Sequence, residues 1–314
     1  MDKSFNCPPI LFLIFNRPEL TRRVFSQIRL AKPKILFIAA DGARLHNEED
    51  NKLCVDAREV VKNIDWDCKV HTLYRDINLG CKHAVSTAIT WFFENVEEGI
   101  VLEDDCVPDL SFFSFCEELL QKYKEDTRIG MISGDQFINK LEIDQSYYFS
   151  NFPHIWGWAT WRRTWQNYDL LIKEWPKFRK LNWLVEKTGA KSYADNWINI
   201  FERVYDGEIN TWCYQVVFML WTQNQLSIAP KHNLISNIGF GVYGTHTNDA
   251  SSKFSCMSIK PLEFPLVHPK LIYRNLEYDL LALQEEFGFS QRGKDKVDKR
   301  LMNYLRYSIK KFLG

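Results

Sequence analysis

Along the first half of the chain, apolar residues come in short continuous runs, each followed by a longer stretch in which they recur every three or four positions. "ILFLIF" at 10–15 has the length of a buried strand, and "RPELTRRVFSQIRLAK" after it places Leu20, Val24 and Ile28 on one helix face, with Pro18 suited to the first turn. The alternation returns in "KILFIAAD" and "EEDNKLCVDAREVVKNI", in "KVHTLYRD" and "CKHAVSTAITWFFENV", and in "GIVLEDD" and "LSFFSFCEELLQKY", and it closes on the strand "IGMISGD". This pattern predicts an α/β domain with a mostly parallel central sheet flanked by helices. Ligands of such sheets bind beyond the carboxyl ends of the strands. All five ends are polar: "FNRPE", "ADGAR", "RDINLG", "EDD" and "SGDQF".

From about residue 150 the alternation weakens and aromatic residues take over: nine of the eleven tryptophans lie between Trp156 and Trp221. Helices are expected at 159–171, 191–205 and 213–223, then a strand at "QLSIAP" and a glycine-punctuated segment "SNIGFGVYGTHTND". The division expected is 1–150 as a ligand-binding α/β half, 151–260 as an aromatic-rich half of the same domain, and 261–314 as a carboxyl-terminal extension. In that extension Leu301, Leu305, Ile309 and Phe312 share a helix face among basic residues, a pattern that fits either packing on the domain or peripheral contact with an anionic membrane.

A chain of 314 residues with 46% hydrophobic positions can build a large core. Lys+Arg and Asp+Glu both total 40, so no net field draws the molecule to nucleic acid, and recognition has to be local. The eight cysteines are scattered without metal-type spacing and read as reduced thiols. The apolar run "PPILFLIF" is too short to span a bilayer and lacks the charged lead of a signal peptide, so a cytoplasmic location is expected.

The sharpest chemical signal is the triplet Glu103, Asp104 and Asp105 at the end of the fourth strand. Three adjacent carboxylates at a buried strand end call for a positive charge, and a divalent cation such as Mn²⁺ or Mg²⁺ meets that need with one or two protein carboxylates plus substrate phosphates. Asp109, after Pro108, instead suits the cap of the next helix. Asn16 and Arg17 follow the first strand, where donors can meet a nucleotide, and "NLGCKHA" sets Asn78 and Lys82 at a helix N-terminus able to receive an anion. Trp156 and Trp158 flank a glycine and are the expected exposed pair for stacking on a sugar ring, whereas Trp161 and Trp165 are expected to face the core.

The segment "VLEDDCVPDLSFFSFCEELL", with "PPILFLIFNRPE", "AADGAR", "GWATWRRTW" and "SIAPKHNLISNIGFGVYGTHT", resembles the nucleotide-sugar-dependent glycosyltransferases of the GT-A fold. The similarity is to the N-acetylglucosaminyltransferase I group in particular, with its Glu-Asp-Asp variant of the Asp-x-Asp motif. The resemblance implies that Glu103 and Asp104 face the ribose and nucleotide, that Asp105 is the direct metal ligand, and that Asp41 contacts the nucleobase, an Asp-Gly turn being its other role. It also implies that His246 is a second metal or diphosphate contact. The partners implied are a nucleotide-sugar donor and a saccharide or glycoconjugate acceptor.

An inverting transferase needs a carboxylate to take the acceptor's proton. Where relatives carry an acid, "TWCYQ" has Cys213. Asp195, Glu208 and Asp135 are the alternative base candidates. Two other classes stay open: a sugar nucleotidyltransferase, which would favour a Gly-rich basic loop in place of "FNRPEL", and a non-catalytic carbohydrate-binding relative, to which Cys213 points.

Overall fold

A computed structural model describes residues 5–138, 141–241 and 252–287. The first half follows the expected alternation. It runs β1 (Ile10–Ile14), α1 (Pro18–Ala31), β2 (Ile35–Ala40), α2 (Glu48–Val60), β3 (Lys69–Tyr74), α3 (Gly80–Asn95), β4 (Glu98–Glu103), the short β5 (Cys106–Pro108), α4 (Leu110–Lys122) and β6 (Ile129–Ser133). The second half adds β7 (Tyr147–Ser150), β8 (Trp158–Trp161), the short helices α5 (Arg162–Trp165), α6 (Trp175–Phe178) and α7 (Leu184–Thr188), then α8 (Lys191–Tyr205), α9 (Cys213–Thr222), β9 (Leu226–Pro230), β10 (Ile235–Asn237) and α10 (Leu276–Phe287).

Eight strands form one mixed sheet in the order β3-β2-β1-β4-β8-β6-β9-β7. The β3-β2-β1-β4 part is parallel, as is the β6-β9 pair. β8 runs antiparallel to both β4 and β6, and β7 antiparallel to β9. The helix expected over 159–171 is therefore replaced by a central strand and one helical turn. Gly157, at φ +71°, turns the chain into β8, and its carbonyl accepts from Gly134 N at 2.8 Å. The helical spacing of Trp161 and Trp165 was misleading because the strand ends between them.

Side-chain alternation sends each strand to two cores. Ile10, Phe12, Leu36, Ile38, Ile100 and Leu102 pack under α1 and α4. Leu11, Leu13, Phe37 and Val101 meet Ile89, Phe92 and Phe93 of α3 and Val216 and Met219 of α9 on the other face. The opposite side of α9, with Val217, Phe218 and Trp221, caps a third aromatic core with α8. Trp161 and Trp165 are both buried, as expected, but on opposite faces of the sheet. Among the described residues no helix is long and apolar enough to cross a membrane. The 301–312 amphipathic pattern lies outside the described residues.

Candidate functional site at the strand ends

β4 pairs with β1 in parallel, Leu13 opposite Glu103, so the chain leaving β1 passes directly over the acidic triplet. Phe15 N donates to Asp104 Oδ2 at 3.4 Å. Arg17, the residue before Pro18 at the start of α1, forks across the next two carboxylates: it pairs with Asp104 through Nη2 and Nε and with Asp105 Oδ2 through Nη1 at 2.9 Å. Within the protein, then, the positive charge that the triplet requires comes from the residue assigned from sequence to nucleotide contact. Burial opposes the Arg17 charge, but Asp104 and Asp105 outweigh it and hold the guanidinium firmly protonated.

Among the described residues one guanidinium stands against three carboxylates. Burial and the repulsion of Asp105 and Asp104 push the Glu103 carboxyl up to about 8, against the attraction of Arg17. Asp104 also stands above the ordinary carboxylate range: its removal from water outweighs Arg17, whose charge is shared with Asp105. Asp105 itself remains partly exposed.

A two-stranded ribbon braces Asp105 from the other side. β5 pairs antiparallel with β10, Cys106 opposite Asn237, and Ile238 N donates to Asp105 O at 2.8 Å. The Cys106 thiol donates to Asp105 Oδ1 at 3.3 Å. Gly239 lies against the carboxylate so closely that a Cβ there would sit 2.7 Å from Asp105 Cγ and 2.8 Å from its Cβ. Asp109 caps α4 by accepting from Ser111 N at 2.8 Å, the capping role expected for it.

The nucleotide-side candidates are tied to one another. Asn16 donates to Asp50 Oδ1 at 2.7 Å, and Asp50, 2% exposed, also holds Arg44. Asp41 accepts from Asn78 Nδ2, Leu79 N and Gly80 N at 3.0 Å each, so it caps α3 from the end of β2. That arrangement corrects the reading of the "NLGCKHA" turn as an open anion site, because the Asp41 carboxylate already takes its backbone donors. Arg58 closes the same corner, donating to Asp41 O at 3.0 Å and Arg75 O at 2.7 Å. Lys82, half-buried in the first turn of α3, has no carboxylate partner among the described residues.

Cys213 is brought to the triplet although it is 110 positions away in sequence, 213 against 103. It opens α9, its thiol lies 2.9 Å from Thr211 Oγ1, and Glu103 acts on it electrostatically. Cys81 belongs to the same group: burial first, then Glu103 and Cys213, push its thiol up to about 12. Neither thiol is poised to take a proton at neutral pH.

Of the three base candidates, Asp135 is the one brought close, 1% exposed and near enough to Cys106 to raise its thiol further. Asp195 is paired with Lys191 at 2.8 Å on the exposed face of α8, and Glu208 with Arg203 at 3.2 Å; both are surface ion pairs. The charges that bear on Glu103 are those of Asp105, Arg17 and Asp104, and neither surface acid is among them.

The tryptophan pair separates. Trp156 keeps part of its surface in solvent, whereas Trp158 is 1% exposed in β8 and packs on Trp165 and Trp212. Trp158 is a core residue because two residues apart on a strand share a face only when the chain is extended, and the Gly157 turn breaks that relation. His246 lies outside the described residues. Asp50, Arg44, Arg58 and Gly239 were not singled out from sequence. "NEED" does carry a capping signal, since Asn47 accepts from Asp50 N at 3.1 Å, but nothing local marks Asp50 as turned inward.

Neither a protein-family model nor a curated protein sequence matches the chain. Partial similarities to solved structures include HddC from Yersinia pseudotuberculosis, 11% identical over 51% of this chain and 80% of that one with a TM-score of 0.33. Apo UDP-glucose pyrophosphorylase is 11% identical over 71% of this chain and 90% of that one, TM-score 0.35. Apo mouse xyloside xylosyltransferase 1 is 12% identical over 68% and 82%, TM-score 0.32. Likeness at this level leaves the function to rest on the site, a cluster of carboxylates at the carboxyl ends of the parallel strands.

Proposed function

We propose that the chain is a metal-dependent glycosyltransferase of the GT-A type, moving a hexosyl or N-acetylhexosaminyl group from a nucleotide sugar to a saccharide or glycoconjugate acceptor with inversion. The observation that carries this reading is the acidic cluster at the strand ends: among the described residues three carboxylates converge there on one guanidinium, with Asp105 kept at the open side. Among the described residues no three His, Cys, Asp or Glu side chains form a metal cage. Asp105 is proposed as the protein's own ligand to Mn²⁺ or Mg²⁺, whose remaining ligands would come from a diphosphate and water, and His246, outside the described residues, as a second candidate.

When bound, the cation would neutralise charge developing on the departing diphosphate. Arg17, which pairs with Asp104 and Asp105, would add a second positive group at the same place. Glu103 and Asp104 are proposed to meet the ribose and nucleotide, the Asp41–Asn78 corner to bound the base, and Lys82 to reach the phosphates. Asp135 remains the candidate for the acceptor's proton; Asp195 and Glu208 are withdrawn because their surface pairing takes them out of the site. The nucleotidyltransferase alternative finds less support, since the β1–α1 connection closes on Arg17 and Pro18 and not on a glycine-rich phosphate loop.

A thermal-shift screen of UDP-, GDP-, CMP- and dTDP-sugars with and without Mn²⁺ tests the reading. A true donor at about a hundred times its Kd stabilises by about 2.7 kcal/mol, and Asp105→Ala is expected to remove the Mn²⁺-dependent part while leaving a folded protein. No stabilisation by any donor, or an undiminished Mn²⁺ effect in Asp105→Ala, overturns it.

A further inference from the structure

Beside Asp105 stands a group of aromatic rings of which only Trp156 packs against one of the main cores. Phe137 follows the end of β6, Trp156 precedes β8, Phe240 follows β10 and Gly239, and Phe254 comes from the segment beyond. Phe137 contacts His154 at 4.6 Å, Trp156 at 5.2 Å and Phe254 at 5.2 Å, all edge to face, and Trp156 meets Phe240 at 5.6 Å. Each of the four Phe and Trp rings retains part of its surface in solvent. Phe137 packs on Phe254 and Trp156, and Phe240 on Trp156.

A contact joins this group to the carboxylates: Gly239, adjacent to Phe240, is packed on Asp105. Asp135, two residues before Phe137, is 1% exposed. Half-exposed aromatic surface bordered by the partly exposed Asp105 carboxylate suits a ligand with an apolar C–H face and a rim of hydroxyls. A lipid tail would gain the aromatic contact but place its chain against buried negative charge.

We propose that Trp156, Phe137, Phe240 and Phe254 form the acceptor subsite beside the carboxylates and take one pyranose ring by its C–H face, with its hydroxyls toward the Asp105 side. The inference rests on the transferase reading and extends it from a single tryptophan to a platform assembled from four separate parts of the chain. Phe254 is its outer member, with Lys253 lying 5.1 Å from its ring.

Saturation-transfer NMR on the full chain with the methyl pyranosides of glucose, galactose, mannose and N-acetylglucosamine, each with and without the nucleoside diphosphates and Mn²⁺, tests it. At least one pyranoside is expected to receive saturation at its ring C–H protons. That signal should fall about fivefold in Trp156→Ala and in Phe254→Ala and survive in Trp156→Phe, while the nucleotide-sugar thermal shift is unchanged in all three. If nucleotide sugars bind but no pyranoside is saturated, or if both alanine variants keep the full signal, the subsite is overturned and the transferase reading is untouched. Pyranoside binding lost in the alanine variants, without any nucleotide-sugar binding, keeps the four rings as a sugar site and overturns their acceptor role together with the transferase reading.

Discussion

Arg17 sets the electrostatics of the carboxylate cluster at the strand ends, and Glu103 shows how far it falls short. With its folded pKa raised from 4.5 to about 8, Glu103 binds a proton in the native state that the unfolded chain has lost anywhere between those values. Stability therefore falls as pH rises through that window. Glu103→Gln, neutral throughout, is expected to match the parent near pH 4.5 and to exceed it by on the order of 4 kcal/mol at pH 8, read from urea unfolding in the presence of a chelator. A constant difference across the range would remove the raised carboxyl. The triplet itself was legible in sequence because three adjacent acids after an apolar strand have few bland explanations. That their partner is Arg17 was not legible, because the pairing spans 87 positions and depends on β1 lying beside β4.

At the scale of elements, β8 and the β5–β10 ribbon decide what the site can be. Trp158→Ala empties a buried indole position in the central strand and is expected to cost about 3–5 kcal/mol of stability, checked by chemical denaturation. Nucleotide affinity of the folded protein should change little, and a selective loss of acceptor contact with full stability would return Trp158 to the binding surface. Gly239→Ala acts on the ribbon. The added methyl group must displace the Asp105 carboxylate or part the strands, at a cost of about 1–3 kcal/mol. Its expected signature is loss of the Mn²⁺-dependent nucleotide shift comparable to that of Asp105→Ala, with the fold retained; normal Mn²⁺ dependence would show that Asp105 needs no such brace. Hydrophobic periodicity found α8 and β9 within a residue of their ends, yet it misread 159–171, where strand, turn and helix meet within a few residues.

At the scale of the whole molecule, the carboxyl-terminal segment fastens the far edge of the sheet. Asp279 of α10 is fully buried, accepting from Ser150 Oγ and Asn151 N next to β7 and pairing with Arg274. Burial raises its carboxyl, and Arg274 with Ser150 pulls it back. Asp279→Ala strands a largely buried guanidinium and is expected to destabilise by about 3–5 kcal/mol, measured by thermal or urea unfolding. Nucleotide affinity of the folded fraction should be unchanged, since the carboxylate cluster lies at the other strands' ends; a loss of less than about 1 kcal/mol would show that the ion pair carries little of the clasp.

The sequence alone determined the strand-helix order of the first half, the acidic end of β4 and the cap at Asp109, because each is written in neighbouring residues: a period of two or 3.6, a run of like charge, a short polar side chain before a helix. Tertiary structure decided which strand lies between β4 and β6, which tryptophan is core, and which charges meet. It also brought Cys213 to Glu103, Gly239 to Asp105 and four distant aromatic residues into one group. The physical reason is that these are contacts between segments far apart in the chain, and their identity follows from the register and order of one sheet, which no local pattern of residues encodes.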